Sequence, residues 1–364
     1  MSEADLILGI VVATALAFDF TNGFHDTANV VATSISTRAM PPRIAVGYAA
    51  ALNFAGAFIS LEVAATVAKD VVNPQEITTT VIFAGLVGAI AWNLITWYYG
   101  LPSSSSHALI GGVVGATFVA AGAGAVFGDG ILGKVLIPAV IAPVLAFVVG
   151  GLGIVVCYRI VGRQRPGPVT RGFRFGQVLS GGMLALAHGT NDAQKTMGVI
   201  TLALVANGNL SGDAGVPTWV VVSAATAIAL GTYTGGWRII RTMGTRIIKM
   251  DPAQGFSAQG SGAAVILASS HFGFPLSTTQ VIAGGVMGAG AGKRLSAVRW
   301  GVAGNIVVAW LLTLPAAAAM GGVTFLVCDL LPGAVGPVLI SAAGIAAVVV
   351  ALGRRMRSEA VAPA

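Results

Sequence analysis

Long apolar runs alternate with short polar or basic turns along nearly the whole chain. A helix that crosses a bilayer needs about 20 predominantly apolar residues. Runs of that kind cover 5–37, 44–68, 77–99, 104–127 and 131–157, then 176–206, 218–240, 258–273, 277–292 and 300–327, with a last one at 336–352. The run 258–273 is short enough to be re-entrant. Polar residues interrupt two runs, which predicts helix breaks around Asn22-Gly23 and around Gly189. Tyr158 to Arg174 holds Arg159, Arg163, Arg165, Arg171 and Arg174 with Pro166 and Pro168, and reads as a linker without a lipid-facing helix. The expected fold is an all-α integral membrane protein of about 10–12 segments, some of them broken or re-entrant.

The pattern occurs twice. Gly23-Phe24-His25-Asp26-Thr27-Ala28-Asn29 returns as Gly189-Thr190-Asn191-Asp192-Ala193-Gln194-Lys195. Gly100-Leu101-Pro102-Ser103-Ser104-Ser105-Ser106-His107 returns as Gly273-Phe274-Pro275-Leu276-Ser277-Thr278-Thr279-Gln280. The tails Gly111-Gly112-Val113-Val114-Gly115-Ala116 and Gly284-Gly285-Val286-Met287-Gly288-Ala289 match as well. Repeated halves with polar residues at repeated breaks are a signature of secondary transporters. The organisation read from this is a first repeat over 1–157, a basic linker over 158–175, a second repeat over 176–327, and an extra span with a short basic tail over 328–364.

Charge gives the second repeat its orientation. Basic turns alternate between the halves: Arg38 to Arg43 has no basic counterpart near 204–213, and Lys293, Arg294 and Arg299 match an uncharged stretch near 120–126. Five crossings per half invert the second copy, and the positive-inside rule then puts the N-terminus outside and the linker and C-terminus, with Arg354, Arg355 and Arg357, in the cytoplasm. The composition agrees, with 55% hydrophobic residues, 9% charged residues and a mean hydropathy of +0.86, which excludes a water-soluble globule. The net charge of +7 sits in turns between apolar spans, so topology accounts for it and a nucleic-acid partner is not expected. The acidic start Met1-Ser2-Glu3-Ala4-Asp5 does not resemble a cleavable signal peptide. Cys157 and Cys328 are too few for a disulfide framework or a metal site.

Asp26 and Asp192 lead the candidates for chemistry. A carboxylate at membrane depth is costly unless paired, hydrated or protonated, and two in matching places of inverted halves can meet near the midplane. The competing structural reading makes each an N-cap after a helix break. Asn22, Asn29, Asn191 and Lys195 surround them. Amide and carboxylate oxygens suit a small hard cation such as Na⁺, with Asp26 and Asp192 its first ligands, while amide NH₂ groups suit an anion. Lys195, which matches Asn29, either neutralises a bound anion or pairs with Asp192. The hydroxyl clusters that follow the two Gly-x-Pro breaks are candidates for an oxyanion, because a helix start offers free N–H groups and the positive end of its dipole. For any one hydroxyl, a bond back to its own helix is the plainer reading. His25, His107, His188 and His271 fall in or beside these motifs, as proton carriers or as neutral hydrogen-bonding groups. Asp19 and Glu62 are weaker candidates in apolar surroundings.

These four motifs, in this order and over nearly the whole chain, resemble the inorganic phosphate transporter (PiT) family, in particular its bacterial low-affinity symporters. The resemblance implies an integral membrane symporter of the cell (inner) membrane that imports phosphate with Na⁺ or H⁺, with bacterial members often coupled to protons and carrying phosphate as a neutral metal complex. Carried over residue by residue, the family's paired Asp positions fall on Asp26 and Asp192, their Asn or His neighbours on Asn191 and His25, and the hydroxyl breaks on Ser104, Ser105, Ser106, Ser277, Thr278 and Thr279. Adding the neighbours read from the residues themselves, the expected coupling-cation set is Asp26, Asp192, Asn22, Asn191 and His25, and the phosphate set is the six hydroxyl residues with Asn29 and Lys195. Many relatives have Asn in place of His25 and His in place of Gln280, and both positions bear on the choice of cation. No resident cofactor and no enzymatic activity are implied, and a homo-oligomer is compatible. Sulfate is the alternative cargo. An anion channel ranks behind a symporter, and an intramembrane serine hydrolase far behind, since neighbours such as Ser106 and His107 do not share a helix face.

Overall fold

A computed structural model describes residues 2–361 of the chain and the side chains of residues 2–350. The described residues form fourteen α-helices and no strand. The first half holds α1 (Glu3–Ser36), α2 (Pro42–Gly56), α3 (Glu62–Lys69), α4 (Thr79–Tyr99), α5 (Ser105–Ala121), the short α6 (Gly128–Ile131) and α7 (Ile137–Val161). The second holds α8 (Pro166–Ala206), α9 (Thr218–Thr234), α10 (Trp237–Arg241), α11 (Pro252–His271), α12 (Thr278–Lys293) and α13 (Trp300–Asp329), followed by α14 (Val335–Val361). The side chains of Arg354, Arg355 and Arg357 lie outside the described residues.

Packing between the halves is reciprocal. α1 lies on α9 as α8 lies on α2, α5 lies on α13 as α12 lies on α7, and α4 meets α13 as α11 meets α7. Each helix therefore packs against the counterpart of its own neighbour, as a pseudo-two-fold relation between two repeats requires.

By length and composition, four helices can cross a membrane: Glu3–Ser36, Thr79–Tyr99, Gly128–Val161 and Trp300–Asp329. The pair Thr218–Thr234 and Trp237–Arg246, bent by 60°, makes a fifth if it counts as one span. Other expected segments are shorter or more polar: α5 and α12 are brief, and α8 carries polar residues through a long buried stretch. That polarity is tolerated because protein surrounds it; residues 187–204 of α8 are buried without interruption.

Two expectations need correction. The helix is unbroken at Asn22-Gly23 and at Gly189, since both positions fall inside continuous helices. The glycines are there for close approach. A methyl group at Gly23 would sit 2.9 Å from the Thr232 amide nitrogen of α9, and one at Gly189 would sit 2.8 Å from Asn53 Cα of α2. Small residues let helix backbones meet where a side chain would hold them apart. Nor is 158–175 a helix-free linker. Tyr158 to Val161 end α7, and Pro166 begins α8, where a missing N–H costs nothing at a helix start.

The real breaks are the Gly-x-Pro elements. Gly100 ends α4 in the left-handed region (φ 65°), and Gly273 follows α11 with φ 72°. The chain then turns back through Pro102 and Pro275 to start α5 and α12, capped by Ser104 and Ser277. The matching Gly-Gly tails pack these two helices tightly: Gly111 meets the Leu314 backbone of α13, and Gly284 meets the Pro143 backbone of α7.

Overpacking a tight crossing costs about 1–3 kcal/mol. Gly23→Ala and Gly189→Ala should each lower the melting temperature of the purified protein in detergent. Gly9→Ala on α1, where nothing lies within 4 Å, should leave it unchanged or raised.

Candidate substrate and cation site

Four helices bring the repeated motifs together. α1 supplies Asp26, α8 supplies Asp192, and the starts of α5 and α12 approach from the side with their hydroxyls. Asp26, Asp192 and Lys195 are at most 1% exposed. One ligand atom each from Asp26, His188 and Asp192 lies within 4.8 Å of the others. The two carboxylates expected to meet across the repeat interface do meet.

Neither aspartate is an N-cap, because both lie well inside their helices. Capping falls instead to Ser104, whose Oγ accepts from the His107 amide at 3.1 Å, and to Ser277, whose Oγ accepts from the Gln280 amide at 3.3 Å. Those two oxygens serve the helix ends, while the next residues of each helix face the carboxylates. Ser105 Oγ donates to Asp26 at 2.6 Å, Thr279 Oγ1 to Asp26 at 3.2 Å, and Thr278 Oγ1 to Asp192 at 3.2 Å. Asn29 Nδ2 donates to Thr279 Oγ1 at 2.9 Å, with Thr278 Oγ1 at 3.4 Å, and leaves its own Oδ1 free of partners among the described residues. One repeat's hydroxyl helix thus reaches the other repeat's aspartate: Thr279 of α12 reaches Asp26 of α1.

Lys195 takes the pairing role. Its Nζ donates to Asp192 at 2.5 Å, to Ser106 Oγ at 2.5 Å and to the Leu276 carbonyl at 2.7 Å, which uses all three of its hydrogens. Asn191 stands apart from the carboxylates, tying α8 to the end of α11 through Ser270 Oγ (2.9 Å) and the Phe274 carbonyl (3.2 Å). Asn22 lies one turn before Asp26, with an unpartnered Oδ1.

The histidines divide. His25 Nδ1 lies 2.7 Å from Asp26, and its Nε2 lies 3.2 Å from Thr96 Oγ1 and 3.4 Å from Ser103 Oγ. His188, read from sequence only as a neighbour of the motif, stands on the same face as Asp192 with Nε2 3.0 Å from its Oδ2. Its Nδ1 faces Asn53 Oδ1 at 3.2 Å, and Asn53 donates its NH₂ to Thr232 at 2.8 Å. That network makes Asn53 Oδ1 an acceptor and Nδ1 the donor. In a neutral ring the bare Nε2 then faces a carboxylate, and two acceptors need a proton or a cation between them. The spacing from His188 to Asp192, one helical turn, could have flagged this residue. Nothing local in sequence marks Asn53 or Thr96. His107 pairs with Gln280 at 3.4 Å, and His271 is exposed, edge-on to the Phe272 ring. Glu62 is exposed at the start of α3 and outside the site.

Removing one partner of a buried ion pair costs about 3–5 kcal/mol, whereas replacing both can be nearly neutral. Asp192→Asn should therefore lower the melting temperature markedly, and adding Lys195→Met should recover most of the loss, as read by thermal unfolding in detergent.

Comparison with known proteins matches residues 22–321 to the phosphate transporter family. The chain is 55% identical over 334 residues to a probable low-affinity inorganic phosphate transporter of Mycobacterium tuberculosis, covering 92% of this chain and 80% of the relative. Proteins of the same description from Rhizobium meliloti (47% over 326 residues; 89% of this chain, 97% of the relative) and Bacillus subtilis (44% over 330 residues; 90% and 98%) are also similar. A solved structure described as the sodium-dependent phosphate transporter shares the fold, with a TM-score of 0.81 at 24% identity over 90% of this chain and all of that one. The extent of the family match and of these similarities makes the chain a member of the phosphate transporter family.

Proposed function

We propose that this protein is a cation-coupled inorganic phosphate symporter that works by alternating access in the cell membrane, with its N-terminus outside and its C-terminus in the cytoplasm. The observation that carries the reading is the convergence of Asp26 and Asp192, one from each repeat, with His188 beside them and the hydroxyl-bearing helix starts donating to both carboxylates. Together with Lys195 the two aspartates leave an excess negative charge in a buried site, which calls for a cation. The carboxylate oxygens and the free Asn29 Oδ1 suit Na⁺, and the bare His188 nitrogen suits a proton. Either ion would serve to neutralise the site before it closes.

Phosphate would dock between the starts of α5 and α12. The first amides of each helix have no acceptor within the helix, and both dipoles direct their positive ends there. In the state described, Ser105, Thr278 and Thr279 donate to the aspartates. A cation on Asp26 and Asp192 would release those hydroxyls to the oxyanion, so that each ligand prepares the site for the other. Lys195, held by Ser106, is placed to shift from Asp192 towards the anion as the cation arrives. Only when cations balance both the excess charge of the aspartates and that of the anion can one repeat rock against the other without exposing bare charge to the membrane interior.

The carboxylates also favour phosphate over sulfate. Near neutral pH phosphate keeps a P–O–H donor for a carboxylate acceptor, while sulfate has none. Sites built to bond a hydroxyl reject analogues lacking it, by roughly 10⁴-fold in strong cases.

In proteoliposomes, radiolabelled phosphate should accumulate when a Na⁺ or a proton gradient is imposed, and excess sulfate should compete poorly. Asp26→Asn and Asp192→Asn should abolish accumulation at equal protein levels. Wild-type uptake by both variants would overturn the assignment, and sulfate accumulation in place of phosphate would reassign the cargo.

A further inference from the structure

One fully buried carboxylate lies outside the site just described. Asp19 on α1 is 0% exposed, and neither of its oxygens has a hydrogen-bond partner among the described residues. Asp26, in contrast, has His25, Ser105 and Thr279, and Asp192 has Lys195 and Thr278. Two more buried oxygens beside Asp19 are equally unpartnered: Oδ1 of Asn22 and Oγ1 of Thr196. The Thr196 hydroxyl and the Asn22 side chain adjoin the Asp19 carboxylate closely enough to act on it as donors but short of full hydrogen-bond geometry, and Asp192 and Lys195 lie within electrostatic reach.

Helix geometry explains the grouping. Asn22 follows Asp19 by three residues and shares its face of α1. Thr196 lies one turn past Asp192 on α8. Asp26 meets Asp192, while Asp19, two turns earlier on α1, meets Thr196, one turn later on α8. The two helices therefore cross antiparallel, and Asp19 and Thr196 close on the side of the α1 N-terminus.

An unpaired charge at this depth is unfavourable by several kcal/mol, so the carboxylate is either protonated or balanced by a cation. The donors are all oxygens, from one carboxylate, one amide and one hydroxyl, a set that suits a small hard cation. One negative charge among neutral oxygens balances one positive charge, whereas a divalent ion would leave a charge over. We propose that Asp19, Asn22 and Thr196 form a Na⁺ site of their own, one to two helical turns from the Asp26–His188–Asp192 group.

The site has no twin. In the aligned motifs Asp19 corresponds to Ala185 and Thr196 to Val30, both buried and apolar. The repeat would have provided a second copy, and the chain fills that position with methyl groups. The cation site therefore belongs to the α1 N-terminal side alone and gives a pseudo-symmetric molecule a sidedness. Three carboxylates, Asp19, Asp26 and Asp192, face a single ammonium, that of Lys195. Filling the Asp19 site removes one of the two excess negative charges that oppose an incoming oxyanion.

The test is ²²Na⁺ binding to the purified protein in detergent without phosphate, for wild type, Asp19→Asn, Thr196→Val and Asp26→Asn. Asp19→Asn should bind one Na⁺ fewer than wild type, and Asp26→Asn should keep that ion. Thr196→Val, which preserves size, should weaken the same ion by about tenfold through loss of one ligand. Unchanged stoichiometry and affinity in both Asp19→Asn and Thr196→Val would overturn the site. So would a wild type that binds no Na⁺, which would mark Asp19 as a protonated, neutral carboxyl. Phosphate accumulation driven by a pH gradient would in that case leave the proposed function standing. Conversely, Asp19-dependent Na⁺ binding in a protein that moves no phosphate would sink the function and leave the site.

Discussion

The structure depends on compensating buried carboxylates where neither water nor lipid can do it. Asp26 and Asp192 lie within a few ångströms of each other at the crossing of α1 and α8. Side chains beside them supply hydrogens: Ser105 and Thr279 for one, Lys195 and Thr278 for the other. The compensation is assembled from both halves, so neither repeat holds the site alone. It is also incomplete, since ligand-sized demands remain at His188 Nε2, Asn29 Oδ1 and Asp19. A site whose polar groups are only partly satisfied, and which is still short of positive charge, is suited to exchanging internal partners for ions.

The approach of the helices makes this possible. Gly23 against α9, Gly189 against α2, and the paired Gly-Gly stretches of α5 and α12 remove the side chains that would hold backbones apart. Close crossings in turn bring the helix starts at Ser105 and Thr278 within reach of carboxylates on other helices. The same residues thus serve packing and site geometry, which links the helix crossings at Gly23 and Gly189 to the chemistry at Asp26 and Asp192, one turn further on.

Much of this was legible in the sequence. The duplication of the Asp-bearing and hydroxyl-bearing motifs announced both the repeat and the residues that converge, because a repeated polar motif in apolar sequence has few other uses. The Gly-x-Pro breaks before Ser104 and Ser277 were readable because glycine's left-handed conformation and proline's missing N–H act locally. The glycines at 23 and 189 misled for a reason: the same lack of a side chain permits a break or a crossing, and only the partner helix decides which. Asn53, Thr96 and Thr232 were invisible because their roles come from distant helices. Asn191 looked like Asp192's companion in sequence, yet it points to α11, since adjacent residues on a helix face different ways.

The proposed function requires a cation directly on the Asp26 and Asp192 carboxylates. Infrared difference spectroscopy of the reconstituted protein, recorded on adding Na⁺ at fixed pH and on lowering pH at fixed Na⁺, tests it most directly. Carboxylate-stretch changes are expected under at least one of these conditions, with bands that vanish in Asp26→Asn and in Asp192→Asn. Spectra in which neither aspartate responds to either ion would contradict it.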